Sequence, residues 1–397
     1  MDMIYNEFHG KKLSRLGFGC MRFKTDETGE IDLAKVKEMF KKALEGGVNY
    51  FDTAYTYVNT KSELAIAEAL KDVPRESYFL ADKFPGHTLP GPVDNGELFE
   101  VQLKKCGTDY FDFYLLHNVN EWSMKVYGSD EYHVIPDIVK KKEEGKIRHF
   151  GFSFHGSCEL LESFLDAHPG MFDFVQIQCN YLDWTLQDAK RKYDIITSRG
   201  LGVWVMEPCR GGKLANLMEE HSARLKEVGN GGSDASYAFR FVQGLPGIKM
   251  ILSGMNEPEQ VEDNLATFET YRPLSQEETD VLMQIAEEMK KGVPCTGCRY
   301  CCDGCPMGLD IPYLLDCYNS IKVQASVPSF MRIDALDEDK RPGACIGCGQ
   351  CARACPQGID VPSVLAELDK LWKEGPKWSE LSKGRRESIK VVLGLKD

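Results

Sequence analysis

Three apolar runs in the first third of the chain each stop at a group that can hold or move a proton. Residues 48–51 lead into Asp52, a small-residue turn and Tyr57; residues 78–82 lead into Lys83; residues 111–116 lead into His117. A phenol, an ammonium, a carboxylate and an imidazole at successive strand ends suit proton transfer to a developing alkoxide. An ammonium beside Tyr57 is expected to bring its ordinary pKa of about 10 down, and a buried Asp52 to keep that ammonium charged and oriented. His117 is placed to hydrogen-bond a reacting oxygen or to share in proton relay. The bland alternative is an ion pair and a stacked tyrosine on a barrel rim, and four such groups at strand ends outweigh it.

Ionisable groups at the carboxyl ends of strands imply a closed parallel barrel to position them. The chain reads that way. Residues 13–23 hold a short apolar strand with Gly17 and Gly19, followed by a helix with Val36, Met39, Phe40, Ala43 and Leu44 on one face. Further strands are expected at 149–153, 174–178, 202–206 and 249–252. Helices are expected at 62–70, 97–105, 136–144, 158–167, 186–198, 218–228, 233–243 and 258–268. Eight strands alternating with helices predict an α/β fold, a (β/α)8 TIM barrel. Residues 118–134 read as a long loop over the barrel mouth, the kind that sets substrate choice.

In this order and setting, Asp52, Tyr57, Lys83 and His117 resemble the tetrad of the aldo-keto reductases, and the resemblance spans roughly residues 5–270. It implies NAD(P)H-dependent reduction of a carbonyl, or the reverse alcohol oxidation, with Tyr57 as acid/base and the other three supporting it. It also implies a nucleotide site. Ser153 and Gln176 match the positions that hydrogen-bond the nicotinamide carboxamide, although the family's following asparagine is replaced in Ser153-Phe154-His155. Met206 stands where many members stack an aromatic ring, a softer platform that equally suits plain barrel filling. The stretch 253–264 resembles the adenosine-phosphate segment, with Ser253 and Asn256 near a helix N-terminus suited to an anion and Asn264 for the adenine. Gly254 and Gln260 take the places of the basic residues that grip a 2′-phosphate. NADH and NADPH both stay open.

After Arg272-Pro273 a charged helix (276–291) leads to a change of composition. Cys295, Cys298, Cys301 and Cys305-Pro306 form C-x2-C-x2-C-x3-C-P, and Cys345, Cys348, Cys351 and Cys355-Pro356 repeat it. Each copy is followed by a Gly-apolar-Asp-apolar-Pro echo at 308–312 and 358–362. This is the ligand spacing of bacterial two-cluster ferredoxins, in which the fourth cysteine crosses to the other cluster. One [4Fe–4S] cluster is therefore assigned to Cys295, Cys298, Cys301 and Cys355, and the other to Cys345, Cys348, Cys351 and Cys305. Cys302 fits in place of Cys301 on spacing alone; the second repeat favours Cys301. Paired zinc sites are the alternative, and the C-x3-C-P ending argues against them. A helix at 311–323 makes the module resemble a small, mostly α-helical ferredoxin-like iron-sulfur domain. Cys20, Cys106, Cys158, Cys179, Cys209 and Cys317 read as ordinary buried thiols.

The domain plan is then 1–272 for the barrel, 273–292 for a linker helix, 293–365 for the two-cluster domain and 366–397 for a tail. The stretch 361–397 is expected to begin with a helix (363–372), turn basic near Lys383, and pack weakly or cap the barrel's outer surface. The chain has 397 residues, 43% of them apolar, and a net charge of −13, which argues against nonspecific nucleic-acid binding. No apolar run approaches the roughly 20 residues of a membrane span, and no secretory signal is visible, so a cytoplasmic place is expected. Fifteen cysteines without a signal suit metal ligation better than disulfides.

Hydride transfer moves two electrons and a cluster accepts one, and no flavin motif is evident to split the pair. The clusters therefore read as structural or as serving a redox partner protein. The competing reading is an electron-transfer protein whose barrel is a docking or regulatory scaffold.

Overall fold

Eight short runs rich in aromatic and β-branched residues pair in parallel into a closed barrel. In chain order they are β1 (Leu16–Gly19), β2 (Tyr50–Asp52), β3 (Phe79–Phe84), β4 (Phe111–Val119), β5 (Ile147–Phe154), β6 (Phe174–Gln178), β7 (Gly202–Met206) and β8 (Ile248–Ser253), and β8 closes on β1. The computed structural model describes residues 3–395 apart from 230, 291, 294, 296, 324, 326, 378, 379 and 381. Contacts divide the chain into one unit of Met1–Tyr181, Ala189–Leu282 and Gly384–Asp397 and another of Leu182–Asp188 and Met283–Lys383.

The strands are buried almost throughout, as parallel strands covered by helices must be. Register sets the mouth of the barrel: Gly19 lies opposite Asp52, Asp52 opposite Ala81, Lys83 opposite Leu115, and Ser153 opposite Gln176. Gly17 is required by packing, since a Cβ there would come within 2.6 Å of Met250 Sδ and 2.7 Å of a Leu252 methyl.

The other end of the barrel is plugged by a hairpin not foreseen in the sequence, Tyr5–Phe8 paired with Lys11–Ser14. Asn6 donates to the carbonyls of Ile248 and Lys249, and the Ser14 N–H donates to Asn49 Oδ1 at 2.8 Å, so the hairpin is tied to strand beginnings. Its Phe8 ring packs on Trp204, Phe113 and His149 and seals an aromatic core.

The tail also departs from expectation. Its last helix, Lys383–Val392, is counted from Gly384 onward with the barrel unit, buries Ile389 completely and sets Ser388 Oγ 3.2 Å from the Tyr55 hydroxyl. That contact is at the loop after β2, at the mouth of the barrel, not on the barrel's outer surface. The segment expected as a loop at 118–134 contains one helical turn, Met124–Tyr127.

The second unit is helical. Ile311–Val323, Val327–Asp334 and Val361–Glu374 enclose Leu314, Leu315, Ile321, Phe330, Ile333, Leu365 and Leu368. Among the described residues no helix is long and apolar enough to cross a membrane.

Candidate functional site

Lys83 is wholly buried at the end of β3, and its ammonium donates to Asp52 Oδ1 at 2.5 Å and to the Thr53 carbonyl at 2.7 Å. Its Nζ lies 4.8 Å from the Tyr57 ring centre, and His117 meets that ring edge-on at 5.6 Å. The structure thus brings all four strand-end residues together. Burial works against the Lys83 charge, but Asp52 and then Tyr57 outweigh it and hold the ammonium above the ordinary lysine range. Burial likewise pushes the Asp52 carboxyl up, and Lys83 pulls it back.

Tyr57 corrects one sequence expectation. Part of its ring reaches the surface, yet the dense protein around it pushes the phenol up to about 12, with Lys83 only partly offsetting this. The phenol is not brought below its usual range; it is held neutral, as a donor. Burial also keeps His117 neutral, well below the ordinary histidine range, with His87 and Lys83 acting in the same direction.

Lys83 has a second layer of support behind the strand. The adjacent Asp82 faces the other way, where Gln102 donates to Asp82 Oδ2 at 2.9 Å and to the Lys83 carbonyl at 3.0 Å. Tyr114 donates to Gln102, and Lys105 pairs with Glu63 beside them. Burial, and then Glu63, push the Asp82 carboxyl well above its ordinary value.

The residues matched to the nicotinamide stand at neighbouring strand ends. Gln176 Nε2 lies 3.6 Å from Met206 Sδ, while its Oε1 is buried with no partner among the described residues. Ser153 Oγ accepts the Asn118 N–H at 2.8 Å and keeps its own O–H to donate. An orphaned acceptor beside a hydroxyl fits a carboxamide. At the end of β8, Asn264 Nδ2 donates to Ser253 Oγ at 2.8 Å, and the Asn256 N–H donates to Gln260 Oε1 at 2.8 Å. Basic groups do lie nearby, from elsewhere in the chain: Lys24 and Lys35 both pair with Glu257, and Arg22 pairs with Glu207 at 2.8 Å.

Eight cysteines sort into two cavities whose other walls are mainly apolar, with Arg299 and Gln357 at the first. Cys295, Cys298, Cys301 and Cys355 line one, against Leu315 and Val361; Cys305, Cys345, Cys348 and Cys351 line the other, against Leu309 and Leu365. Cys302 lines neither. The two halves repeat each other in backbone as well as sequence. Gly297 and Gly347 both have φ of 69°, and the short helices Tyr300–Asp303 and Gln350–Ala354 both follow a left-handed residue, Arg299 and Gly349. The Gly308 N–H donates to the Cys305 carbonyl at 3.0 Å as Gly358 does to Cys355 at 3.1 Å. Four thiols around an apolar hollow are the donor set that an iron-sulfur cluster takes.

Residues 15–287 match the aldo/keto reductase family. The chain belongs to that family. Residues 294–359 match a 4Fe-4S dicluster domain, so this family member is an oxidoreductase with an iron-sulfur domain C-terminal to its barrel. A probable aldo-keto reductase of Glycine max is 27% identical over 207 residues, covering 50% of this chain and 57% of that protein. The L-galactose dehydrogenase of Arabidopsis thaliana is 29% identical over 282 residues, 65% of this chain and 85% of that one. Among solved structures, an aldo-keto reductase from Bacillus halodurans in its holo form superposes with a TM-score of 0.58 at 22% identity, covering 71% of this chain and 96% of that one. One from Klebsiella pneumoniae in complex with NADPH gives 0.56 at 20%, covering 72% and 96%.

Two groups near Tyr57 escaped the sequence reading. His87, in the turn Gly86–Thr88 after β3, packs on His117 at 4.5 Å and is pushed down to about 3, chiefly by burial. Its Pro- and Gly-flanked setting marked only a loop. Arg385, in the last helix, acts electrostatically on His87, His117 and Tyr57. No local signal in a basic tail could have placed it there.

Proposed function

We propose that the barrel reduces a small-molecule carbonyl, or oxidises the matching alcohol, with NAD(P)H, and that the C-terminal domain holds two [4Fe–4S] clusters. The observation that carries the first part is the buried Lys83–Asp52 pair at 2.5 Å beneath the Tyr57 ring, with His117 at the ring's edge. The nucleotide supplies hydride when bound, and the clusters supply one-electron transfer.

Tyr57 Oη gives its proton to the alkoxide that forms as the carbonyl is reduced, because an alkoxide is a far stronger base than a phenolate. Lys83 steadies the phenolate left behind, and Asp52 keeps Lys83 charged through that step. His117, neutral, orients the carbonyl oxygen. Gln176 and Ser153 orient the carboxamide, Met206 backs the ring, and Ser253, Asn256 and Asn264 hold the adenosine end. The choice between NADH and NADPH turns on whether Lys24 and Lys35 leave Glu257 for a 2′-phosphate.

Cys295, Cys298, Cys301 and Cys355 hold one cluster; Cys305, Cys345, Cys348 and Cys351 hold the other. The crossed sets are supported by the two four-thiol cavities. The clusters serve a redox partner protein or brace the domain, apart from the hydride path.

Tyr57→Phe tests the reading. Carbonyl-dependent NAD(P)H oxidation should fall by at least about 100-fold, the usual cost of losing a positioned acid. Nucleotide binding, followed by fluorescence on anaerobically prepared protein, should hardly change, since the hydroxyl acts on the transition state. Unchanged turnover would overturn the assignment.

A further inference from the structure

The foot of the barrel, away from Tyr57 and Lys83, gathers three groups of a different kind. His9, His149 and Asp173 bring one donor atom each to within 4.8 Å of one another. They come from three separate segments. His9 opens the two-residue turn of the hairpin Tyr5–Phe8 and Lys11–Ser14, His149 lies near the start of β5, and Asp173 immediately precedes β6. Nothing in their spacing along the chain marks a motif, so only the fold assembles them.

Two of the three are held in place by their neighbours. The His149 ring stacks on Phe113 at 4.9 Å and meets Phe8 edge-on at 5.2 Å. Asp173 Oδ2 accepts the Lys142 ammonium at 2.7 Å and the Phe150 N–H at 2.8 Å, while Oδ1 makes no hydrogen bond among the described residues. Outer contacts of this kind aim a ligating carboxylate. His9 is exposed, with its ring centre 5.1 Å from that of His149. Donors around a zinc ion stand about 3.3 Å apart, given bonds of about 2 Å. Rotation of the exposed His9 side chain supplies the remaining approach.

The surrounding charges decide which ion fits. Lys142 and Lys11 both act electrostatically on His149, and Lys249 lines the adjoining cleft together with Glu7. One uncommitted carboxylate oxygen among lysines serves a hard cation poorly, because magnesium and calcium rely on several oxygen ligands. Two imidazoles suit a borderline ion instead. The cleft, about 360 Å³ in volume, opens beside His9 and Asp173, giving an ion a way in and a water molecule the fourth position. We propose that His9, His149 and Asp173 bind one borderline divalent metal ion of the zinc class, which fastens the hairpin to the starts of β5 and β6. The site stands apart from the reductase reading, and its test needs no substrate.

The experiment uses the full, cluster-loaded chain without an added tag, kept anaerobic so that the cluster cysteines stay committed to iron. Equilibrium dialysis against zinc, read by elemental analysis, should find one zinc per chain in the wild type. His9 and Gly10 have φ of 47° and 73°, a turn that favours Asn-Gly, so His9→Asn should fold as well as the wild type and lose that zinc. Asp173→Asn should weaken binding by about 10-fold or more. With free zinc at about 100 times its Kd, amide exchange across residues 5–14 should slow by about 10- to 100-fold in the wild type and stay unchanged in His9→Asn. Cluster absorbance and circular dichroism report whether the variants remain folded.

Equal zinc in the wild type and in folded His9→Asn would place the ion elsewhere, on thiols for instance, and overturn the proposal. No bound zinc in the wild type, or hairpin exchange that zinc does not slow, would overturn it as well. Displacement of the zinc by an equal concentration of magnesium or calcium would contradict the argument from the donor set.

Discussion

At the scale of single residues, one proton on Tyr57 is pulled two ways. Surrounding protein disfavours the phenolate and Lys83 favours it, and the first wins, leaving the phenol at about 12. The sign matters for pH. A raised pKa keeps the acid form present up to higher pH, so kcat/KM for reduction should stay level from about pH 7 to beyond the usual phenol value of about 10. His117 adds no bend there because it is already neutral. The reverse oxidation, which needs a base, should climb across the same range. A reduction rate that falls with a midpoint near pH 8 would mean that Lys83 dominates after all. Asp52, Lys83 and His117 were legible because each ends an apolar run, and Tyr57 because it closes the turn after the first of them. The balance of forces on Tyr57 was not, because it depends on how deeply the surrounding protein, His117 included, encloses the ring against the pull of Lys83.

At the scale of elements, legibility followed hydrophobic pattern. Parallel strands covered on both sides tend to be continuously apolar, and most of the barrel strands were visible on that basis. The hairpin Tyr5–Phe8 and Lys11–Ser14 was not, since its outer residues are polar and only Phe8, Leu13 and Ser14 are buried. The helix Lys383–Val392 was misjudged for a similar reason: among its ten residues only Ile389 is fully buried, and a charged stretch reads as a solvated face. Right after Tyr57, Val58, Asn59 and Thr60 all have positive φ, a conformation unfavourable for β-branched residues that no composition signal reveals. The cysteine repeat was plain because ligand spacing is itself the signal, and the matched turns at Gly297 and Gly347 let both copies adopt it. Anaerobically prepared protein should carry about eight iron and eight sulfide atoms per chain. Cys355→Ala should reduce the iron to about four and remove the cluster of Cys295, Cys298 and Cys301. Loss confined to the cluster of Cys345, Cys348 and Cys351 would show that ligation does not cross.

At the scale of the whole molecule, an aldo/keto reductase barrel and an iron-sulfur domain share a chain, so the proposed two-electron chemistry and one-electron centres must be reconciled. The barrel mouth holds an ion pair beneath a neutral phenol with a neutral imidazole at its edge, a set that suits the proposed proton transfer to a carbonyl oxygen. Nothing in that set needs an electron relay. The central claim is that hydride passes directly from nucleotide to carbonyl carbon, and an isotope decides it. Cluster-loaded protein is given NAD(P)H deuterated at the transferring position, a carbonyl substrate and ordinary water, and the product alcohol is analysed by mass spectrometry and NMR. Direct transfer predicts one deuterium on the carbinol carbon for every nucleotide oxidised. A product whose carbinol hydrogen comes from water would show that electrons travel singly, through the clusters, and would contradict the account.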